Sequence, residues 1–190
     1  NNFYVSCHRV FRPDLNGKPV IVLSNNDGCV IARSEEAKAL GIGMAVPLYQ
    51  VKHLIKTYNI TVFSSTYPLY GDMSARVIAN LRNFVPEIEI YSIDEAFLNF
   101  SGMEYTDLKS YGEHITQTVI QWTGLPVSLG IAPTKTLAKS ASKFAKKFKQ
   151  YNHCCVIDSE EKRIKALKKI SIEDIWGIGR QFHKHLHKYN

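Results

Sequence analysis

The sequence has 190 residues, 45% of them hydrophobic, with 24 Lys+Arg against 17 Asp+Glu and a formal net charge of +7. Such a chain can bury one moderate core plus a small module, and neither a signal peptide nor an apolar run of about 18 residues is read in it, so no membrane role is expected. Cys7, Cys29, Cys154 and Cys155 show no metal-binding spacing, and the last pair is too close for an ordinary bridge, so thiols tolerated in a reducing cytosol are expected.

A first helix ends before the polar stretch 12–18, which precedes a strand over Val20–Leu23. Asn25–Gly28 is a turn by composition. Ser34–Leu40 followed by Gly41 predicts a short capped helix with a glycine just past its end. A helix over Leu48–Tyr58, a strand over Thr61–Phe63 and a helix over Asp72–Phe84, with Met73, Val77 and Leu81 four apart, come next. Ile88–Ile93 alternates as a strand does, and Phe97–Phe100 reads as the strand returning beside it. Leu108, Ile115, Val119 and Trp122 mark a core-facing helical stripe. Val127–Pro133, small and alternating, predicts a buried strand that delivers Thr134 as the cap of a helix running to Lys149.

Asp94 and Glu95 fall at or near the bend of the 88–100 hairpin. Adjacent carboxylates raise each other's pKa unless a cation lies between them, so the pair reads either as a solvated turn or as ligands of Mg²⁺ or Mn²⁺. On a regular strand they would face opposite sides, so a shared metal needs a local turn or bulge. Charge gives a second signal. Residues 1–100 hold 9 basic and 9 acidic residues, whereas 101–190 hold 15 and 8, which points to a polyanionic partner in the second half. There Leu137, Ala141, Phe144, Ala145 and Phe148 share one helix face, while Lys135, Lys139, Lys143 and Lys147 recur every fourth residue on another. Stacked ammonium groups repel, which a bound phosphate relieves and an ordinary solvated face tolerates. Lys139, about one turn into the helix, is best placed to reach a triphosphate, and a lipid-facing helix is the weaker reading because aromatic anchors do not border the stripe. Towards the end, Ser171–Asp174 has capping-box spacing, Gly177 and Gly179 separate two short helical segments, and Trp176 reads as a packing residue.

Four ordered motifs carry a resemblance: Asn-Asn-Phe-Tyr-Val-Ser-Cys at 1–7, Tyr-Ser-Ile-Asp-Glu-Ala at 91–96, the run from Gly130 to Lys139, and Ile175-Trp-Gly-Ile-Gly-Arg180. Together they resemble the Y-family of translesion DNA polymerases. Phe11–Pro19 and Leu23–Arg33 are similar to its UmuC-type catalytic subunits. The resemblance implies an α+β fold: a ferredoxin-like palm with a small α/β fingers insertion and the start of a helical thumb. Its implied division is palm at 1–10, fingers at 11–70, palm again at 71–160, and from 161–190 the thumb with a helix-hairpin-helix-like motif.

The family's metal-binding Asp-Glu falls on Asp94 and Glu95, and its triphosphate lysine falls on Lys139. The bulky residue under the incoming sugar, which excludes a 2′-hydroxyl, falls on Tyr4, with Phe3 beside it. A Tyr and an Arg that grip the triphosphate in many relatives fall on Glu35 and Lys38, so that contact is expected to be weaker or reorganised. Arg33 is the candidate substitute. Lys143, Gly177, Gly179 and Arg180 are the DNA-facing candidates. The family's first catalytic Asp belongs two residues before Asn1, outside this sequence, and the 190-residue chain alone is therefore expected to be inactive. Implied with the family are a dNTP substrate, Mg²⁺ or Mn²⁺, primed template DNA, SOS-type error-prone synthesis, and partners comprising a UmuD-type dimer, the sliding clamp and the RecA filament. A cytoplasmic, nucleoid-associated location is implied as well. A non-catalytic DNA-binding or regulatory fragment and a palm-type nucleotidyl cyclase are the competing readings, the cyclase disfavoured by the fingers insertion and the glycine hairpin.

Overall fold

A computed structural model describes residues 2–103, 107–186 and 188. The chain folds as two units, each with its own internal packing. The class is α+β, as expected, and among the described residues the strands form small separate sheets.

The first unit comprises Asn1–Asn83, Ile88–Ala96 and Thr123–Leu125. It contains helix α1 (Phe3–Phe11), strands β1 (Val20–Leu23) and β2 (Val30–Arg33), helices α2 (Glu35–Ala39) and α3 (Leu48–Tyr58), strand β3 (Thr61–Phe63), helix α4 (Tyr67–Leu81) and strand β4 (Ile88–Ser92). The sheet order is β2-β1-β3, with β1 antiparallel to β2 (Val22 opposite Ala32) and parallel to β3 (Val22 opposite Phe63). All four β1 residues are buried, because the strand is covered on both faces. Val20 and Val22 join Val5, Cys7, Tyr70 and Met73, while Ile21 and Leu23 join Val30, Ala37, Ile42 and Val51. Period-two alternation thus sorts one apolar run into two cores.

Ser34 fixes the start of α2. Its Oγ is buried and accepts from the backbone N–H of both Val20 and Ala37, joining the strand and the helix cap in one atom. The predicted glycine beyond this helix is Gly41, whose φ of +82° is the left-handed conformation a helix end needs. Helix α4 begins at Tyr67, five residues before the expected Asp72, and ends at Leu81 instead of Phe84. Pro68 in its first turn explains the early start, since a proline there forfeits only an N–H that has no helical partner.

The second unit comprises Phe84–Glu87, Phe97–Trp122 and Pro126–Asn190. Helix α5 (Leu108–Thr123) is followed by strand β6 (Leu129–Ile131), helix α6 (Lys135–Lys147), strand β7 (Cys154–Val156) and helices α7 (Glu160–Lys169) and α8 (Arg180–Leu186). β6 and β7 run parallel, Gly130 opposite Cys155, and α6 is the crossover between them. The core joins Ala141, Phe144 and Ala145 of α6 to Cys155, Ile157 and Ala166.

Four expectations change here. Trp122 shares the angular position of buried Ile115 and Val119 but is 61% exposed, lying in the last turn of α5. Phe148 is the extended residue capping α6 and is 37% exposed, so it does not continue the apolar face. The strand ahead of α6 covers only 129–131 of the expected 127–133, and of its three residues Ile131 alone is buried. Ser171 caps a short 3-10 turn over Ile172–Asp174 without a side-chain hydrogen bond, so the capping-box spacing does not start an α-helix. Cys154 and Cys155 are buried strand residues and, like Cys7 and Cys29, free thiols.

Candidate active site

Strand β5 (Glu95–Leu98) pairs with β4 in a two-stranded sheet, and Ile93 and Asp94 form the turn between them. The turn breaks strand alternation at the point where a shared metal would require it. Both carboxylates are exposed. Ser92 Oγ donates to Asp94 Oδ1 at 2.8 Å and so fixes the orientation of that carboxylate, while Glu95 is the first residue of β5. Their hard oxygens suit Mg²⁺ or Mn²⁺, and among the described residues no third His, Cys, Asp or Glu completes a cluster with them. By donor chemistry the pair fits a hard cation whose remaining positions go to water or substrate oxygens.

Tyr4 belongs to the same unit. Its ring is stacked on Tyr70 with centroids 4.1 Å apart and planes 13° from parallel, while Tyr67 meets it edge-on at 6.0 Å. Phe3 is tilted against it at 5.9 Å. The Tyr4 hydroxyl is pushed up to about 12, chiefly by burial, then by its neighbour Tyr67 and the carboxylate of Asp94. Tyr4 and the acidic turn belong to one unit, and the Asp94 carboxylate is among the lesser causes that raise the hydroxyl.

Two fingers candidates are occupied locally. Arg33 donates from one guanidinium nitrogen to the backbone carbonyl of Ile42, and its Nε is buried without a hydrogen-bond partner. Lys38 pairs with Glu35 at 2.6 Å on the outside of α2. Motif comparison gave no reason to consider Glu36, yet it holds Arg9 at 2.9 Å, and Arg9 also donates to the Lys18 carbonyl, tying α1 to the start of α2.

In the second unit, Thr134 caps α6 by accepting from Leu137 N–H, as its position predicts. The lysines of the stripe are not equivalent. Lys135 lies over the Phe97 ring at 5.0 Å and Lys147 over Phe148 at 5.5 Å, whereas Lys143 is ion-paired with Asp174. Lys139 is half-buried. Trp176 packs against Phe97 at 5.5 Å, in keeping with a packing role. Gly177, at φ +91°, and Gly179 are exposed, and a Cβ on either would meet open space. The side chain of Arg180 lies outside the described residues.

Residues 63–70 supplied what the motifs did not. Tyr67 and Tyr70 are three apart on α4, and Tyr4 and His8 are four apart on α1, spacings that set each pair on one helix face. Only the fold reveals that the two faces meet.

Residues 1–143 match the impB/mucB/samB family. The chain is 48% identical to protein UmuC of Salmonella typhimurium over 98% of its own length and 44% of that protein's. It is 48% identical to protein ImpB of Salmonella typhimurium (94% and 43%) and 30% identical to DNA polymerase IV of Saccharolobus solfataricus (93% and 50%). It therefore spans about half the length of these relatives, or less. Among solved structures it is similar to an insertion ternary complex of Dbh DNA polymerase, with a TM-score of 0.85 and 25% identity over 99% of this chain and 55% of that one. DinB from Sulfolobus solfataricus gives a TM-score of 0.83 with the same identity and coverage. With its motifs in order and most of its length matched, the chain is a Y-family domain of the impB/mucB/samB family.

Proposed function

We propose that this chain carries the nucleotide-side part of a DNA-directed DNA polymerase that extends a primer across damaged template. The observation that carries the reading is the stacking of Tyr4 flat on Tyr70 in the same unit as the Asp94 carboxylate, which Ser92 holds in a fixed orientation. An aromatic floor beside an oriented carboxylate suits a nucleotide whose sugar lies on the ring and whose phosphates lie toward the acids. The similarity to a DNA polymerase IV and to an insertion ternary complex of Dbh DNA polymerase supports the same chemistry.

Asp94 and Glu95 would hold divalent metal, Mg²⁺ or Mn²⁺, which supplies neutralisation of phosphate charge and activation of the attacking 3′-hydroxyl. Ser92 fixes the Asp94 carboxylate through its hydrogen bond, so that little reorganisation is needed when the substrate arrives. Tyr4, with Phe3 beside it, fills the space below the sugar and rejects a 2′-hydroxyl by contact. Lys139 supplies a compact cation to triphosphate. Arg33 and Lys38 can reach phosphate only by exchanging the partners they now hold, and relaxed gripping at the fingers suits error-prone synthesis. The glycine turn at Gly177 and Gly179, with Arg180, offers backbone amides and a guanidinium to DNA phosphates, and Lys143 adds a second cation. Accessory partners of the UmuD, sliding-clamp and RecA kinds, an SOS setting and action at the nucleoid complete the reading, and they rest on family membership.

The test is metal-dependent primer extension by the full-length protein. Asp94→Ala should abolish extension while duplex binding persists, whereas extension above about a tenth of the parent rate, under 1.4 kcal/mol of barrier, removes Asp94 from the chemistry. Full duplex binding with no extension by the parent protein would favour the non-catalytic DNA-binding reading.

A further inference from the structure

His8 lies one turn beyond Tyr4 on α1, and no motif marks it. Its imidazole is flat against Phe63 of β3, with centroids 4.0 Å apart and planes 7° from parallel. Its Nε2 is 3.0 Å from the hydroxyl oxygen of Tyr70, a fully buried side chain of α4. Tyr70 in turn presents its face to Tyr4 at 4.1 Å. Three contacts thus run in series from β3 through α1 and α4 back to α1, ending at the ring proposed to lie under the sugar.

Each contact restricts a different freedom. Stacking on Phe63 sets the plane of the imidazole, and burial holds its pKa below the ordinary value, favouring the neutral ring that shares one proton with the phenol. The hydrogen bond holds the tip of Tyr70, a buried hydroxyl for which Thr66 is a further hydrogen-bond partner. Tyr70 then fixes the tilt of Tyr4, because offset or parallel ring contact is lost when one ring turns. Repulsion between Tyr4 and a 2′-hydroxyl is steep in distance, so a small change of tilt alters ribonucleotide use far more than deoxynucleotide use.

We propose that His8 is a positioning residue for the Tyr4 ring, acting through the Tyr70 hydroxyl, and that it thereby sets how strictly a ribose is refused. The inference rests on the reading of Tyr4 as the floor of the nucleotide site.

The experiment is single-nucleotide insertion by the full-length protein on a primed template, comparing kcat/KM for deoxy- and ribonucleotides. His8→Phe keeps an aromatic ring and loses the hydrogen bond, and Tyr70→Phe removes a single oxygen. Each should lower the deoxy-to-ribo ratio about three-fold or more, with His8→Gln, whose amide can reach the same hydroxyl, recovering at least half of the loss. A simple loss of folded protein reduces both rates together and leaves the ratio in place, and if His8→Phe does not fold, Tyr70→Phe carries the test alone. If Tyr4→Ala lowers the ratio while Tyr70→Phe and His8→Phe leave it unchanged, the positioning role is overturned and the floor stands. If Tyr4→Ala leaves it unchanged too, the floor reading fails and this inference falls with it.

Discussion

Gly130 of β6 lies so close to Ala138 of α6 that a Cβ on the glycine would stand 2.1 Å from the Ala138 carbonyl oxygen and 2.2 Å from the Ser142 nitrogen. Both obstacles are helix backbone, which cannot step aside as a side chain can. Gly130→Ala should destabilise the second unit by at least about 2 kcal/mol, read as a fall in thermal midpoint of that unit. An unchanged midpoint would show that strand and helix can separate without cost.

The thiols should divide sharply in reactivity. Burial pushes Cys7 up to about 12 and Cys154 up to about 11, and it raises Cys155 as well, whereas Cys29 is half-exposed beside Ser24. At pH 8 a thiol of pKa about 12 is thiolate about one part in ten thousand. Iodoacetamide on the folded protein should label Cys29 and spare the other three until denaturant is added. Rapid labelling of Cys7 under native conditions would contradict its place in the core.

Acid should weaken the first unit in two stages. His8 is held below its ordinary pKa of 6.5 by burial, so the unfolded chain binds its proton more readily. Its contribution is therefore whole above pH 6.5 and is lost as pH falls below that value. Glu36 is raised by burial but lowered more by hydrogen bonds from Ser34 and Arg9, so its contribution disappears only below the ordinary carboxylate value of 4.5. Urea midpoints measured across this range should fall below pH 6.5 in the parent protein, with His8→Gln flattening the upper stage and leaving the lower one.

Lys143 is paired with Asp174, and that pairing competes with phosphate. Asp174→Asn should tighten non-specific duplex binding by the full-length protein about three-fold and steepen its salt dependence, while Lys143→Ala should weaken binding and flatten it. Fluorescence anisotropy at two salt concentrations reads both changes. Equal affinities for Asp174→Asn and the parent would mean that this lysine faces no nucleic acid.

Much of the local structure was legible because it rests on nearby residues. The bounds of α3 and β3, the cap at Ser34 and the cap at Thr134 come from turn residues and periodicity within a few positions. The acidic turn at Asp94 was legible for the same reason. Trp122 shows where periodicity stops: the pattern gives the angle of a side chain around its helix, and nothing in it says whether the core extends to the last turn. Three-residue β7 was missed because its pairing partner lies 25 positions away and its cysteines carry little strand signal. The packing around Tyr4 was out of reach, since it joins α1 to residues more than 50 positions later, and a separation of about 30 positions likewise hid the ion pair that occupies Lys143.

The parallel pairing of β6 with β7 through α6 has a kinetic consequence. Every partner in that crossover lies between residues 129 and 157, so closing it orders a short loop, and the cost of closure grows only slowly with loop length. β1 must instead gather β3 from about 40 positions away, with two helices formed between them. Local contacts form before distant ones when stabilities are comparable. In pulse-labelling hydrogen exchange during refolding, the amides of Leu129 and Ile157, which bond across the β6–β7 pair, should gain protection ahead of Thr61, which bonds to Pro19 at the edge of β1.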